Sequence, residues 1–185
     1  MVDESLVEAE QRMQGAVRSL EEDLGTIRTG RASPALVERL EVEYYGSATE
    51  LQQLANISAP EPRLITIKPF DPGSLQDIER AILKSDLGLT PNNDGKLIRL
   101  SLPPLTEERR HELVKVVGSR AEEARVAIRN IRRDVHNYLR ELEREKEISE
   151  DQLKRGEDRL QELTDHYIKT VNETSERKEK EVLEV

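Results

Sequence analysis

Residues 145–153, EKEISEDQL, form a short break between two long runs of helical periodicity, and the fold turns on how they are read. Ser149 and Gln152 have the spacing of a capping box, while Ile148 and Leu153 stand at the N′ and N4 positions of a hydrophobic staple. A helix opens here, with an apolar stripe of Leu153, Leu160, Leu163, Tyr167 and Val171 and with Gly156 as a local weakness. Upstream, Leu113, Val117, Ala121, Ala124, Ile128, Ile131, Val135, Tyr138 and Leu142 recur in steps of three and four. Thr106 is the candidate cap of that earlier helix, and Glu107 and Glu108 suit the positive end of its dipole. At about 1.5 Å per residue, roughly forty residues make a rod of about 60 Å. So short a link between two rods predicts an antiparallel hairpin.

A third stripe lies at the N-terminus: Leu6, Ala9, Met13, Val17, Leu20, Leu24 and Ile27. Gly30 is placed as its C′ residue and Pro34 cannot continue it. None of the three helices can bury its stripe alone. Near-heptad spacing in all three predicts an antiparallel three-helix bundle; the alternative, an extended coiled coil with other chains, is disfavoured by the short link. The charged tail after Thr174 is expected to fray.

The texture between the first two helices differs. Residues 40–45, 64–67 and 98–102 alternate like strands, Ser74 opens a short helix with Leu75, Ile78 and Ile82 on one side, and residues 90–95 (TPNNDG) form a turn. Residues 31–104 thus read as a small β/α/β unit inserted into a helical domain of residues 1–30 and 105–185, an α+β two-domain organisation. Both junctions, GRASP and LPPL, carry Pro, and two parallel connections permit rotation about a preferred axis.

Charged residues make up 36% of the 185 positions and aromatics 3%, with one Phe and no Trp, which favours solvated helices over a thick core. The absence of Cys excludes disulfides and thiolate metal sites. The acidic start MVDESLVEAEQRM has no signal-peptide character, and no apolar run approaches the roughly 20 residues of a membrane span. A cytoplasmic protein without a membrane partner is expected. His111, His136 and His166 fall on helix surfaces in no zinc spacing, and Gly88 with Gly95-Lys96 does not make a phosphate loop. No catalytic set, metal site or cofactor is legible, so an enzyme is not expected.

The net charge of −9 argues against a nucleic-acid binder, but it hides a local reversal. Arg109, Arg110, Lys115, Arg120, Arg125, Arg129, Arg132 and Arg133 face only Glu112, Glu122 and Glu123 within the same segment. Arg125, Arg129, Arg132, Arg133, His136 and Arg140 share roughly one third of the helix circumference. This ridge has almost no acid at i,i+4, and guanidinium forks suit phosphates. Arg28 and Arg31, at the end of the first helix, are candidates to join it. A solvated face, or one neutralised by acids of the other helices, is the plainer alternative. Without aromatic platforms, an RNA partner would be read through its phosphates and folded shape.

The stretches IRTGRASP, VEYYG, SDLGLTPN, LPPLTEERR, RVAIRNIRRD and KEISED, in this order, closely resemble the bacterial ribosome recycling factor family along essentially the whole chain. The resemblance implies an L-shaped monomer, a three-helix bundle joined to a β/α/β domain by two linkers, and no catalytic site. It implies binding to the post-termination ribosome. Splitting into subunits and release from mRNA would follow with elongation factor G and GTP, the partner being the GTPase.

The same resemblance implies that the bundle lies on large-subunit (23S) ribosomal RNA. By motif, the contacts fall on Arg28 and Arg31 in IRTGRASP, Arg110 in TEERR, and Arg129, Arg132 and Arg133 in RNIRRD, with Arg132 foremost; Arg125 joins the candidate RNA-binding residues from the helix ridge. The linkers correspond to residues 30–34 and 102–105, with Gly30, Ala32, Ser33 and Pro34 in one and Leu102, Pro103 and Pro104 in the other. Thr26 stands where the family usually has Lys, which removes one cation from this corner.

Overall fold

The computed structural model describes residues 1–184. In chain order its elements are α1 (Val2–Gly25), β1 (Glu41–Tyr44), β2 (Ser47–Glu50), α2 (Leu51–Leu54), β3 (Ala55–Glu61), β4 (Leu64–Pro69), α3 (Leu75–Lys84), β5 (Pro91–Asn93), β6 (Ile98–Ser101), α4 (Glu107–Arg144) and α5 (Glu150–Leu183). The chain divides into two compact units, Met1–Leu24 with Val114–Lys180 and Gly25–Leu113 with the end of α5 from Glu181 to Glu184.

The first unit is the three-helix bundle. Arg125 meets Asn172, Arg132 meets Gln161 and Arg140 meets Glu157, so α4 and α5 run antiparallel. Asp3 meets Arg159 and Gln14 meets Tyr167, so α1 runs parallel to α5. The stripes face inward: Leu6, Ala9 and Met13 of α1, Val117, Ala121 and Ile128 of α4, and Leu160 and Val171 of α5 are buried. Tyr167 is buried too, and its hydroxyl accepts from Gln14 and donates to Glu10, so its polar end is satisfied.

The break at residues 145–149 closes as a Schellman turn. The Glu147 N–H donates to the Leu142 carbonyl and the Lys146 N–H to the Glu143 carbonyl, with Lys146 left-handed at φ 63°. The capping box then opens α5. The Ser149 side chain accepts from the Gln152 N–H at 3.1 Å, and the Gln152 side chain accepts from the Ser149 N–H at 2.8 Å. Thr106 caps α4 by accepting from the Arg109 N–H at 3.1 Å.

Four details of the helices differ from expectation. α1 stops at Gly25, and Gly30 is not a left-handed C′ residue; instead Thr29 Oγ1 accepts from the Arg31 N–H and builds a side-chain turn. Tyr138 is exposed and Leu139 fills the core, because a stripe of period 3.6 drifts by one position along a long helix. The tail does not fray: α5 continues to Leu183 with Ser175 and Val182 buried. Gly156 is a close-packing point, since a Cβ there would lie 3.1 Å from Val2 Cγ1 and 3.2 Å from Leu139 Cδ1.

The second unit holds a four-stranded antiparallel sheet in the order β3-β4-β6-β5 and a separate β1-β2 hairpin. Ile65 and Ile67 of β4 and Ile98 and Leu100 of β6 point to one face, where Leu75, Ile78 and Ile82 of α3 cover them. Three strands, β2, β3 and β5, lie outside the alternating runs. Pro60 in β3 and Pro91 in β5 sit on the two sheet edges, the positions that tolerate a residue without an N–H. Pro91–Asn93 is therefore strand, and the turn narrows to Asp94 onward. The β1-β2 turn has Tyr45 at φ 48° and Gly46 at φ 78°, the primed turn that matches strand twist.

Candidate nucleic-acid interface

The α4 ridge exists, but it is not bare. Arg125 donates to Glu122 at 2.8 Å and to Asn172 at 2.7 Å, and Arg129 donates to the other Glu122 oxygen at 3.2 Å. Arg132 donates to Gln161 at 2.9 Å; His136 and Arg140 lie 3.0 and 3.3 Å from the same Glu157 oxygen. The expected openness is thus corrected. Acids and amides arrive at i−3 and i−7 on α4 and from the antiparallel α5, where a search at i,i+4 does not look. The Arg125 hydrogen bond, with Arg129 adding a second, holds the Glu122 carboxyl below its ordinary pKa, so it stays ionised near neutrality. Arg133 is exposed and its side chain has no hydrogen bond or ion pair among the described residues.

Arg28, Arg31 and Arg110 belong to the second unit. Arg28 and Arg110 are half-buried, and the Nε of each is buried without a hydrogen-bond acceptor. Burial, and after it the charge of Arg63, lowers the Arg28 pKa from its ordinary value. Arg63 was not legible as a site residue. Its only mark in the sequence is that of a cation in the two-residue Pro62-Arg63 connection between β3 and β4.

That connection also receives both linkers. The Ala32 N–H donates to the Pro62 carbonyl at 2.6 Å, and the Leu102 N–H donates to the Arg63 carbonyl at 2.8 Å. Ser33 accepts from the Ala35 N–H and Pro34 opens a 3-10 turn over Pro34–Leu36. Leu102 is in the small unit's core, and Ala32 packs on it. Gly30, Arg31, Pro103 and Pro104 are exposed.

No group of three or more His, Asp or Glu among the described residues is placed to hold a metal ion. No described helix is long and apolar enough to cross a membrane. His111 lies 3.8 Å from Glu107, a surface contact of the kind expected of it.

A family model for ribosome recycling factors matches residues 20–183. The chain is 57% identical to the ribosome-recycling factor of Carboxydothermus hydrogenoformans and 54% identical to that of Halalkalibacterium halodurans, each over 185 residues and the full length of both chains. Among solved structures it resembles a ribosome recycling factor in solution, with TM-score 0.77 and 45% identity over 100% of this chain and 98% of that one. A second resemblance, with TM-score 0.68 and 45% identity over all of both chains, is to the T. thermophilus ribosome recycling factor. That protein is placed with E. coli elongation factor G on the E. coli post-termination complex.

Proposed function

The chain belongs to the ribosome recycling factor family, a family of translation factors without catalytic chemistry of their own, and from that premise we propose that it splits the post-termination ribosome with elongation factor G and GTP. It works as a cytoplasmic monomer, anchors on 23S ribosomal RNA, and frees the subunits and mRNA for another round. The observation that carries this reading is the excess of arginine in a chain of net charge −9, part of it left without acid partners at Arg28, Arg110 and Arg133. Unpartnered guanidinium forks on rigid backbone are suited to phosphates.

The three-helix bundle is the stiff anchor and the inserted β/α/β unit the moving part. Arg28, Arg31, Arg110, Arg125, Arg129, Arg132 and Arg133 grip the RNA. The linkers at 30–34 and 102–105 form the hinge. Within them, Ala32 and Leu102 are hydrogen-bonded to the Pro62-Arg63 turn. A stiff helix serves this task because it transmits the factor's push to the subunit contacts without absorbing it.

Light scattering of post-termination ribosomes mixed with this protein, elongation factor G and GTP tests the proposal. Scattering falls with the native chain and falls more slowly with Arg132→Ala. Flat scattering with a same-species factor refutes it.

A further inference from the structure

We propose that Arg63 is a phosphate-binding residue of the smaller unit, gripping the backbone of folded ribosomal RNA beside Arg28; the inference rests on the RNA-binding reading above. Arg63 is exposed on a connection of two residues whose backbone is held from both linkers, by Ala32 at 2.6 Å and Leu102 at 2.8 Å. The main chain is therefore fixed while the side chain is left untied. The Arg63 side chain makes no hydrogen bond or ion pair among the described residues.

Its neighbour sharpens the point. Arg28 precedes Ala32 by four residues, is half-buried, and has an Nε with no acceptor. Burial, and after it the charge of Arg63, lowers the Arg28 pKa, and no carboxylate offsets that effect. A chain of net charge −9 has carboxylates to spare, and it uses them on other arginines: Asp94 on Arg99 at 2.7 Å, and Glu122 on Arg125 at 2.8 Å. Leaving this pair uncompensated disfavours the free protein and favours a bridging anion.

A phosphodiester between two guanidinium forks accepts from both and neutralises the repulsion. Arg31 and Arg110, also without acid partners, add two more cations to the same unit. Four arginines without acid partners in one unit suit a polyanion with repeated charges better than a single carboxylate. No aromatic side chain is among these groups to stack a base, so the contact reads backbone and shape.

The test compares binding of the native chain, Arg63→Ala, Arg132→Ala and Lys96→Ala to purified large ribosomal subunits across a salt series, alongside thermal unfolding of each free protein. Arg63→Ala is expected to lower the salt slope by about 1 and to weaken binding about tenfold, while its Tm holds or rises because repulsion is relieved. Lys96→Ala, an exposed cation on the β5-β6 turn, changes neither. A slope unchanged by Arg63→Ala but lowered by Arg132→Ala overturns the role of Arg63 and leaves the RNA-binding reading standing. A fall in Tm that accounts for the weaker binding also overturns it, by making Arg63 structural. A native chain without salt-dependent binding overturns both.

Discussion

The two groups of arginine in this molecule are chemically alike and placed in opposite conditions. On α4, Arg125, Arg129, Arg132 and Arg140 are each held by an oxygen of the protein. Around the linkers, Arg28, Arg63 and Arg110 are not. A held guanidinium is pre-oriented, but it must exchange its partner for the phosphate. A bare one gains the whole of the new contact, and the free protein bears the unrelieved charge. The difference separates cations that serve the fold and then the ligand from cations that await the ligand alone.

The largest effect should come from the bare group. Arg28→Ala combined with Arg110→Ala is expected to lower the salt slope of large-subunit binding by about 2 and the affinity roughly a hundredfold. Arg125→Ala combined with Arg129→Ala should lose less, because both guanidinia already spend a hydrogen bond on Glu122. Equal losses in a salt-titrated filter-binding series would erase the distinction.

A smaller effect of opposite sign is expected from Glu122→Gln. It leaves one neutral amide oxygen for the two arginines and removes a negative charge from the ridge, so binding should tighten about threefold with a steeper salt slope. Weaker binding by that variant would mean that Glu122 acts by orienting the forks, and the two groups would then differ in preparation rather than availability.

The smallest effect concerns Arg99, an arginine wholly committed to the fold. The backbone N–H groups of Leu97 and Lys96, and then Arg99 itself, hold the Asp94 pKa down to about 2. A carboxyl depressed in the folded state contributes stability that is complete above its unfolded pKa of about 4 and is lost as pH falls toward 2. Asp94→Asn should therefore melt below the native chain at neutral pH, and the gap should close on acidification between those values. A gap in Tm that does not change with pH would assign Asp94 a role of shape rather than charge.

Much of this architecture is legible in the chain because its signals are local. Capping at Ser149 and Thr106 and the three helical stripes depend on residues within one or two turns of each other. Strand β2 (SATE) has no apolar alternation, β5 has three residues and begins with Pro91, and β3 carries Pro60 on an edge, so the smaller sheet was only half visible. Gly156 reads as a weak helix former in isolation. The approach of Val2 and Leu139 makes it a contact point. Leu139 replaced Tyr138 for a related reason: on a helix of 38 residues, the facing helices choose which of two adjacent positions is covered.

The candidate site divides along the same line. Which residues are arginine, and that Arg125 to Arg133 share a helix face, follow from sequence and helical geometry alone. Whether each arginine has a partner does not. Arg132 finds Gln161 because a Schellman turn sends α5 back along α4, and the charge of Arg63 reaches Arg28 in a unit where the Pro62-Arg63 connection is tied to both linkers. The sequence by itself determined the helices, their caps and the sign of the local charge, since these arise from neighbours along the chain. Tertiary structure alone decided which charges are compensated, since electrostatic pairing depends on distance in space, and residues far apart in sequence supply it.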